Sequence, residues 1–411
     1  MKEIQRKVDS RAMREVNRSI VLDIIRRGGR VSRTDLARRS TLTKPTVSAI
    51  VEDLIATGIV HEVGYDHTVG VGGRRARLLE FNDNSAAYLG VRFGVSTTSV
   101  GVADARGELR AVRDVPTVVG DPELSVSHAM DLVDDVLAEA KLPRDRLEAV
   151  GVTIPGLVAQ STGIVELAPN LEWKNAPLRA LVQRSLDLPV VVLNVTNSGA
   201  LAEGRAGAAK GVRSYVWLYV GTGIGAGIVI DGRVFYGQKG FSGEIGHCPL
   251  VLDGPECSCG LRGCLEAAAS GWAIARAGER VRESGAATLL REHQGPLDAE
   301  AVADAARRGD AEAQRIFRDV GNYLGMGIST LINLLDPEMI VLAGGVMAAS
   351  DYILEHARES AAKHTLRGKD VRIVTSTLGD QGSLLGSVVA AMEHSVRSYR
   401  VVATGERAVS G

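Results

Sequence analysis

Apolar residues near the N-terminus recur at helical spacing and predict three short helices. The first helix carries Ile20, Ile24 and Ile25 on one face and ends at the glycines of "RRGGR" (26–30). The stretch "SRTD" (32–35) has the form of a capping box, which begins a second helix. A third helix follows "TLT", and its apolar residues at positions i, i+3, i+4 and i+7 are Val47, Ile50, Val51 and Leu54.

The outward face of the third helix is small and polar, which suits a helix that enters the major groove of DNA. Residues 58–82 then predict two strands around a glycine-rich tip with several arginines, a wing whose guanidinium groups can lie on phosphates or in a minor groove. We predict a winged helix-turn-helix domain over residues 1–82. Its candidate DNA contacts are Ser32, Thr34, Lys44, Pro45, Thr46, Ser48, Ala49, Arg74, Arg75 and Arg77. A three-helix protein-interaction module with solvated charges is the alternative.

The rest of the chain alternates strand and helix patterns, which is typical of an α/β fold. Short β-rich runs begin at Tyr88 and recur at 147–158, 188–207 and 215–247, with a helical stretch near 125–140. Residues 298–346 indicate helices that lead to the buried strand "EMIVLAGG". The polar segment "NDNSAA" (82–87) is interpreted as a linker between the head and this body.

Composition and charge agree with a DNA-binding head on a larger body. The chain has 411 residues, 45% of them hydrophobic, which is enough for more than one domain. The net charge of −1 divides into +6 for residues 1–80 and −7 for the remainder. The N-terminus lacks an apolar signal-peptide core and no apolar run is long enough to span a membrane, so we expect a cytoplasmic protein without a membrane partner.

These segments, in this order, resemble the ROK family (repressors, open reading frames and sugar kinases) over about residues 85–395, and the head matches its repressor branch. The resemblance implies a two-lobed, actin-like (ribonuclease H-like) body. The first lobe would span residues 83–205 and be completed by a C-terminal helix at about 382–398. The second lobe would span residues 206–381, and residues 399–411 would form a flexible tail.

The segment "GEIGHCPLVLDGPECSCGLRGCLE" (243–266) resembles the zinc signature of the family, which implies His247, Cys257, Cys259 and Cys264 as ligands. Three thiolates and one imidazole complete a tetrahedral shell and leave no position for a reactive water, so Zn²⁺ would be structural. Clustered cysteines in a reducing compartment favour metal binding over disulfides. Cys248, the remaining cysteine, is interpreted as a small buried residue.

The same resemblance implies a sugar site formed by Gly156, Asn170, Asn194, Glu244, His247 and Glu266. Carboxylates and amides pair with vicinal hydroxyl groups and discriminate against molecules that lack them. One ring nitrogen of His247 would bind the metal while the other donates to a sugar hydroxyl. Without the resemblance, Glu244 and Glu266 would be interpreted as capping or surface residues.

The sequence departs from the kinases of the family at the reaction centre. Their Asp-x-Gly-Gly-Thr phosphate loop is matched by 92–96, where Arg92 and Val95 replace the aspartate and a glycine, and their Asn-Asp pair is matched by Asn194-Val195. Valine cannot accept a proton, and loss of a general base costs about 10²–10⁴ in rate. The glycine-rich segments 221–227 and 342–346 persist, but tight turns and close packing also explain them.

We therefore expect a sugar-responsive transcriptional regulator, in the role of a repressor, with no catalytic residues and no kinase activity. The expected partners are a near-palindromic double-stranded operator, a sugar or sugar derivative, and further copies of the chain in a homodimer or homotetramer. The alternative is an active ATP-dependent sugar kinase that also binds DNA.

Overall fold

The computed structural model of the protein describes residues 10–65, 76–366 and 370–404. The helices are α1 (Ser10–Gly28), α2 (Arg33–Ser40), α3 (Lys44–Ala56), α4 (Pro122–Asp131), α5 (Val133–Ala140), α6 (Leu178–Leu186), α7 (Val195–Ala206), α8 (Leu265–Ala269), α9 (Gly271–Glu283), α10 (Ala299–Arg307), α11 (Ala311–Leu335), α12 (Ser350–His364) and α13 (Gly382–Thr404). The strands are β1 (Val31–Ser32), β2 (Val60–Tyr65), β3 (Arg77–Phe81), β4 (Ala87–Phe93), β5 (Thr97–Asp104), β6 (Leu109–Pro116), β7 (Leu147–Ile154), β8 (Leu157–Ala159), β9 (Ile164–Ala168), β10 (Trp173–Ala176), β11 (Val190–Asn194), β12 (Tyr215–Val220), β13 (Ile224–Ile230), β14 (Arg233–Val234), β15 (Met339–Ala343) and β16 (Arg372–Thr375).

The N-terminal head consists of α1–α3 and a small sheet in the order β1-β3-β2. Ser32 caps α2 by accepting a hydrogen bond from the Asp35 N–H, and Thr43 caps α3 in the same way from Thr46. The apolar face predicted for α3 is buried in the core of the head. The head is therefore a winged helix-turn-helix, as the sequence predicts.

The first lobe is built on a five-stranded sheet in the order β11-β7-β4-β5-β6. Strands β4, β7 and β11 run parallel to one another, whereas β5 and β6 continue from β4 as antiparallel neighbours. The parallel strands β7 and β11 are almost continuously apolar and buried, which is typical of strands covered on both faces. Helices α4–α6 and the small sheet β10-β9-β8 contribute to the core of this lobe.

The second lobe repeats the same arrangement with the order β14-β13-β12-β15-β16. Strands β12, β15 and β16 are parallel, and β13 and β14 are the antiparallel neighbours. The long helix α11, capped by the Asp310 side chain, packs along α12 and forms much of the core of this lobe. Two lobes of equal topology confirm the predicted two-lobed α/β fold.

The C-terminal helix α13 returns to the first lobe and packs on α7, β7 and β4. The contact is close because glycine faces backbone: a Cβ at Gly151 would lie 1.8 Å from the Ser387 carbonyl oxygen, and one at Gly386 would lie 1.8 Å from that of Ser198. Helix α13 continues to Thr404, into the segment for which the sequence predicts a flexible tail.

The junction between head and body is bonded on both sides, although the sequence predicts a polar linker. The Asn82 side chain donates to the Gly58 carbonyl in the head at 2.8 Å, and the Ala105 N–H in the first lobe donates to the Asp83 carbonyl at 2.9 Å. The polar residues of this linker thus bond to both the head and the lobe. Among the described residues, no helix has the length and apolarity needed to cross a bilayer.

Candidate functional site

The four predicted metal ligands meet in one place in the second lobe. The ligand atoms of His247, Cys257, Cys259 and Cys264 all lie within 4.8 Å of one another. The Sγ atoms of Cys259 and Cys264 are 3.8 Å apart, and the Nδ1 atom of His247 lies 3.7 Å from the Sγ of Cys257. A tetrahedral Zn²⁺ with ordinary bond lengths would set these separations at about 3.8 Å and about 3.6 Å. The donor set and its spacing therefore fit a four-coordinate metal ion.

The electrostatics of this cluster also favour a cation. Burial, together with the neighbouring thiols, raises the pKa of Cys264 to about 12, and burial raises the pKa of Cys257. Thiolates crowded this closely repel one another, and a divalent ion at their centre removes the repulsion. Cys248 does not belong to the cluster, and it is half-buried where the sequence predicts a buried residue.

The second ring nitrogen of His247 lies near the carboxylate of Glu244. Its Nε2 atom lies 4.0 Å from Oε2 of Glu244, which is also close to Glu266. Burial raises the pKa of Glu244, Glu266 raises it further, and the positive charge of His247 opposes both. Glu266 accepts a hydrogen bond from the Ile224 N–H at 2.9 Å, so one of its oxygens is held by the start of β13. The metal loop thus aims a histidine and a carboxylate at the same region.

On the first lobe, Asn194 and Gly156 form the other part of the predicted sugar site. The Asn194 Nδ2 donates to the Gly156 carbonyl at 2.6 Å, while its Oδ1 accepts from the N–H and the hydroxyl of Thr196. Gly156 has φ +150, and a Cβ there would lie 2.5 Å from the Leu167 carbonyl oxygen, so the turn requires glycine. Asn194 therefore joins the end of β11, the first turn of α7 and the turn after β7.

The lobes meet close to these residues, whereas Asn170 stands apart. A Cβ at Gly225, in β13, would lie 3.0 Å from the Thr196 side chain, next to Asn194. Asn170 is exposed in the short 3-10 turn after β9, and among the described contacts it has none with the other five predicted sugar residues. The turn at Gly156 approaches Ala168, two residues before Asn170.

Two buried polar residues that the sequence reasoning missed lie on the same elements. Thr153 Oγ1 in β7 and Asn197 Oδ1 in α7 are buried and have no hydrogen-bond partner among the described residues. A buried polar group is normally paired, with protein or with a bound molecule. Their signal in the sequence is weak, since a threonine in a strand and an asparagine in a helix are common.

The residues that the resemblance matches to the kinase motifs lie in the first lobe. The Arg92 guanidinium, in β4, donates to the Ser99 hydroxyl at 3.2 Å, and Val95 is exposed in the loop after β4. Val195 is the half-buried first residue of α7, directly after Asn194. Position 195 thus has an aliphatic side chain at the N-terminus of a helix that begins in the predicted sugar site.

Most of the predicted DNA-contacting residues of the helices are accessible to solvent. Thr34, Lys44, Pro45 and Ala49 are exposed, and Thr46 and Ser48 are half-buried. Ser32, in contrast, is buried. Its hydroxyl caps α2 and bonds to the side chain of Asp35, which is a structural role.

In the wing, Arg77 lies at the start of β3, and Arg74 and Arg75 lie outside the described residues. Arg77 and Arg33 both form ion pairs with Glu62, so Arg77 is exposed but already partnered. Its guanidinium also lies 6.0 Å from the centre of the Tyr65 ring. A phosphate contact by Arg77 would have to compete with Glu62.

Three comparisons bear on identity. The ROK family profile matches residues 88–394, and a winged helix-turn-helix DNA-binding profile matches residues 17–61. A protein named putative xylose repressor from Caldicellulosiruptor sp. (strain Rt8B.4) is 32% identical over 381 residues, which is 92% of this chain and 95% of that protein. A glucokinase from Halalkalibacterium halodurans is 34% identical over 308 residues, 73% of this chain and 93% of the enzyme.

A solved structure shows the same arrangement of head and body. The crystal structure of a ROK family transcriptional regulator, a homolog of the E. coli MLC protein, superposes with a TM-score of 0.81 at 28% identity and covers 95% of this chain and 99% of its own. With a family profile that spans well over half of the sequence and a fold shared from head to body, the chain belongs to the ROK family.

Proposed function

We propose that the protein is a sugar-responsive transcriptional repressor that acts on DNA in the cytoplasm, and that its kinase-like body is a receptor without catalytic activity. The main support is Val195, which follows Asn194 at the position where the resemblance to the kinases of the family implies an aspartate, in a chain that also has a winged head. The residues proposed to pair with the hydroxyl groups of a sugar, Asn194 and Gly156 on one lobe and Glu244, His247 and Glu266 on the other, are here called the cleft. Binding without turnover leaves conformational change as the output of the cleft.

The sugar would be held by hydrogen bonds from both lobes. Asn194 and Gly156 lie on the first lobe, and Glu244, His247 and Glu266 on the second, so a sugar between them would favour one interlobe arrangement. The full-length relative named for xylose makes D-xylose the first candidate, and the glucokinase relative makes D-glucose the second. Asn170 would join the site by a movement of its exposed turn.

The metal proposed for the cluster of His247 and three cysteines is Zn²⁺. When bound, the ion would hold the loop between Cys248 and Leu265 and fix the orientation of the His247 ring. With Nδ1 directed at the metal, Nε2 carries the proton and can donate it to a sugar hydroxyl or to Glu244.

The DNA contacts proposed are the exposed residues of α3 in the major groove and the arginines of the wing on the backbone. A single head is small, and a homodimer or homotetramer would place two heads on half-sites of a near-palindromic operator, separated by whole turns of the duplex. The small side chains Thr46, Ser48 and Ala49 allow α3 to approach base edges closely.

The test begins with a random pool of duplex DNA, from which the immobilised protein selects the sequences that it binds. The affinity of the protein for the selected operator is then measured with and without sugar. We expect a near-palindromic sequence and a change in DNA affinity of about fivefold or more with D-xylose or D-glucose. L-Arabinose, which differs from D-xylose in one hydroxyl configuration, serves as the control sugar. Absence of any selected sequence would contradict the DNA-binding role.

The second candidate is an active sugar kinase that also binds DNA, which the glucokinase relative favours. A coupled assay with ATP and each sugar separates the two. We expect no ADP production above the background without sugar, because no side chain at position 195 accepts the proton of the sugar hydroxyl. Turnover of about 1 s⁻¹ or more would be in the ordinary range of enzymes and would overturn the repressor-only assignment.

A further inference from the structure

We propose that Arg26, Arg106 and Arg205, here called the arginine cluster, transmit the sugar-bound state of the cleft to the DNA-binding head. The inference rests on the proposed function, and it assigns to three residues a positioning role that no motif of the sequence indicates. Each member belongs to a different part of the molecule: Arg26 to α1 of the head, Arg106 to the turn between β5 and β6, and Arg205 to the last turn of α7.

Helix α7 connects the two sites directly. At its N-terminus Asn194 donates to the carbonyl of Gly156, also in the proposed sugar site, and accepts from the Thr196 hydroxyl, and at its C-terminal end the Arg205 guanidinium donates to the Arg106 carbonyl at 2.7 Å. The helix is twelve residues long, about 18 Å at the helical rise per residue. A helix of this length moves as a rigid rod, so a displacement at Asn194 is carried to Arg205.

A single carbonyl oxygen is shared by the body and the head. The Arg106 carbonyl accepts from Arg205 at 2.7 Å and from Arg26 at 2.8 Å. In return, the Arg106 guanidinium donates to the Arg26 carbonyl at 2.6 Å. Because Arg26 lies near the end of α1, movement of the turn at Arg106 changes the position of this helix.

The same turn is anchored to the core of the head. The guanidinium of Arg106 lies 5.1 Å from the centre of the Phe81 ring and that of Arg26 lies 5.8 Å from it, so both cations contact one buried aromatic side chain. Arg106 also pairs with Asp83 at 2.5 Å, and Ala105 packs into the hydrophobic core of the head. The turn therefore connects two strands of the first lobe but packs against the core of the head.

The charges make this contact sensitive to small displacements. Two guanidinium groups, those of Arg26 and Arg205, converge on the Arg106 carbonyl, and Asp83 is the carboxylate paired with Arg106 among the described contacts. Burial, with the positive charges of Arg205 and Arg106, lowers the pKa of Arg26. Like charges at hydrogen-bonding distance from one acceptor compete, so loss of one donor strengthens the hold of the other.

The test uses the full-length protein and the operator selected as described above. Arg205→Met removes the charge and the donors but keeps the length of an exposed side chain. Arg213→Met is the matched control, because Arg213 is also exposed and forms an ion pair with Asp231 far from the junction in the chain. For each protein, DNA affinity is measured with and without D-xylose and D-glucose.

We expect the wild type and Arg213→Met to show the same ratio of DNA affinities, about fivefold or more, and Arg205→Met to bring the ratio to within about twofold of 1. Sugar affinity of the DNA-free protein should be unchanged in Arg205→Met, and Arg205→Lys, which keeps a donor, should restore part of the ratio. The reciprocal measurement, sugar affinity with and without operator, must show the same loss of coupling.

Each other outcome is decisive. If Arg205→Met keeps the ratio of Arg213→Met, the arginine cluster does not couple the sites and the proposed function stands. If Arg205→Met binds DNA weakly without sugar, the residue merely holds the head in place and the inference is wrong. If neither sugar changes the DNA affinity of the wild type, the proposed function fails first.

Discussion

Substitution of a single cysteine tests the metal site, and the chain offers its own control. Cys259→Ser removes one of the four ligands, whereas Cys248→Ser changes a half-buried cysteine outside the cluster. Structural zinc binds with about 10–16 kcal/mol in small zinc domains, so the loss of one ligand in four weakens it by about 3 kcal/mol. We expect the Kd for zinc to rise about 10²-fold in Cys259→Ser and to remain unchanged in Cys248→Ser.

The loop that carries the ligands has little else to hold it. Its buried core is a small cluster of Cys257, Cys264 and Ala267, while Leu252 and Leu261 are 94% and 55% exposed. Hydrophobic burial therefore does not replace the metal. For a domain of this size about 1 kcal/mol corresponds to 2–4 °C, so the loss of about 3 kcal/mol expected for Cys259→Ser should lower the Tm by roughly 6–12 °C.

The assay combines zinc content of the purified proteins with thermal unfolding before and after a chelator. We expect the wild type and Cys248→Ser to contain about one zinc per chain and to lose stability with the chelator. Cys259→Ser should start at the lower Tm and respond little. Equal zinc content and equal Tm in Cys259→Ser and Cys248→Ser would refute the assignment of the cluster as a structural zinc site.

Three further substitutions test the head, the cleft and the pH dependence of stability. Lys44→Ala, in the first turn of α3, should lower the slope of log affinity against log salt by about 0.9 in a DNA-binding titration, as expected for one lost phosphate contact. Asn194→Ala removes a helix cap and the partner of Gly156, so denaturant unfolding should show a loss of about 2 kcal/mol, with weaker sugar binding by calorimetry. Burial alone would raise the pKa of Asp310, but donors including the Ala313 N–H and the Thr288 hydroxyl lower it overall. The ionised Asp310 therefore stabilises the fold at pH values above the ordinary aspartate pKa of 3.8, and this stabilisation is lost as the pH falls below it. The free energy of unfolding of Asp310→Asn, measured at several pH values, should decrease less with falling pH than that of the wild type.

Each of these has a neighbouring control. Lys174→Ala, an exposed lysine of β10, should leave the salt dependence of DNA binding unchanged. Asn84→Ala, an exposed asparagine, should bind sugar normally, and the exposed Asp145→Asn should keep the acid sensitivity of the wild type. An unchanged salt slope in Lys44→Ala, normal sugar binding in Asn194→Ala, or full acid sensitivity in Asp310→Asn would contradict the corresponding prediction.

Local periodicity and ligand spacing were sufficient to predict several parts of the molecule. The i, i+3, i+4, i+7 pattern of α3 reflects contacts within one helix, and all four apolar residues are buried. The three cysteine ligands, Cys257, Cys259 and Cys264, lie within eight positions of the sequence, so their convergence required little knowledge of the fold. The buried run of β15 was visible for the same reason, since five consecutive apolar residues form the strand.

Contacts between distant segments were not predictable in this way. Arg26 lies 80 positions from Arg106 and Arg205 lies 99 positions from it, and an arginine at a helix end is ordinarily solvated. Ser32 posed a different problem, because the sequence allows a serine at this position to be either a helix cap or a DNA contact. Its burial and its cap hydrogen bond favour the first role.

The return of α13 to β7 has a consequence for synthesis of the protein. The first lobe is completed by the backbone contact of Ser387, in α13, with Gly151, in β7. The strands of this lobe therefore leave the ribosome long before the lobe can finish folding. About 230 residues lie between the two segments, and at ordinary elongation rates their translation takes roughly 10–45 s. During that interval the sheet exposes the groove that α13 later fills, whereas the second lobe, contiguous in the chain, is complete before the last helix is translated.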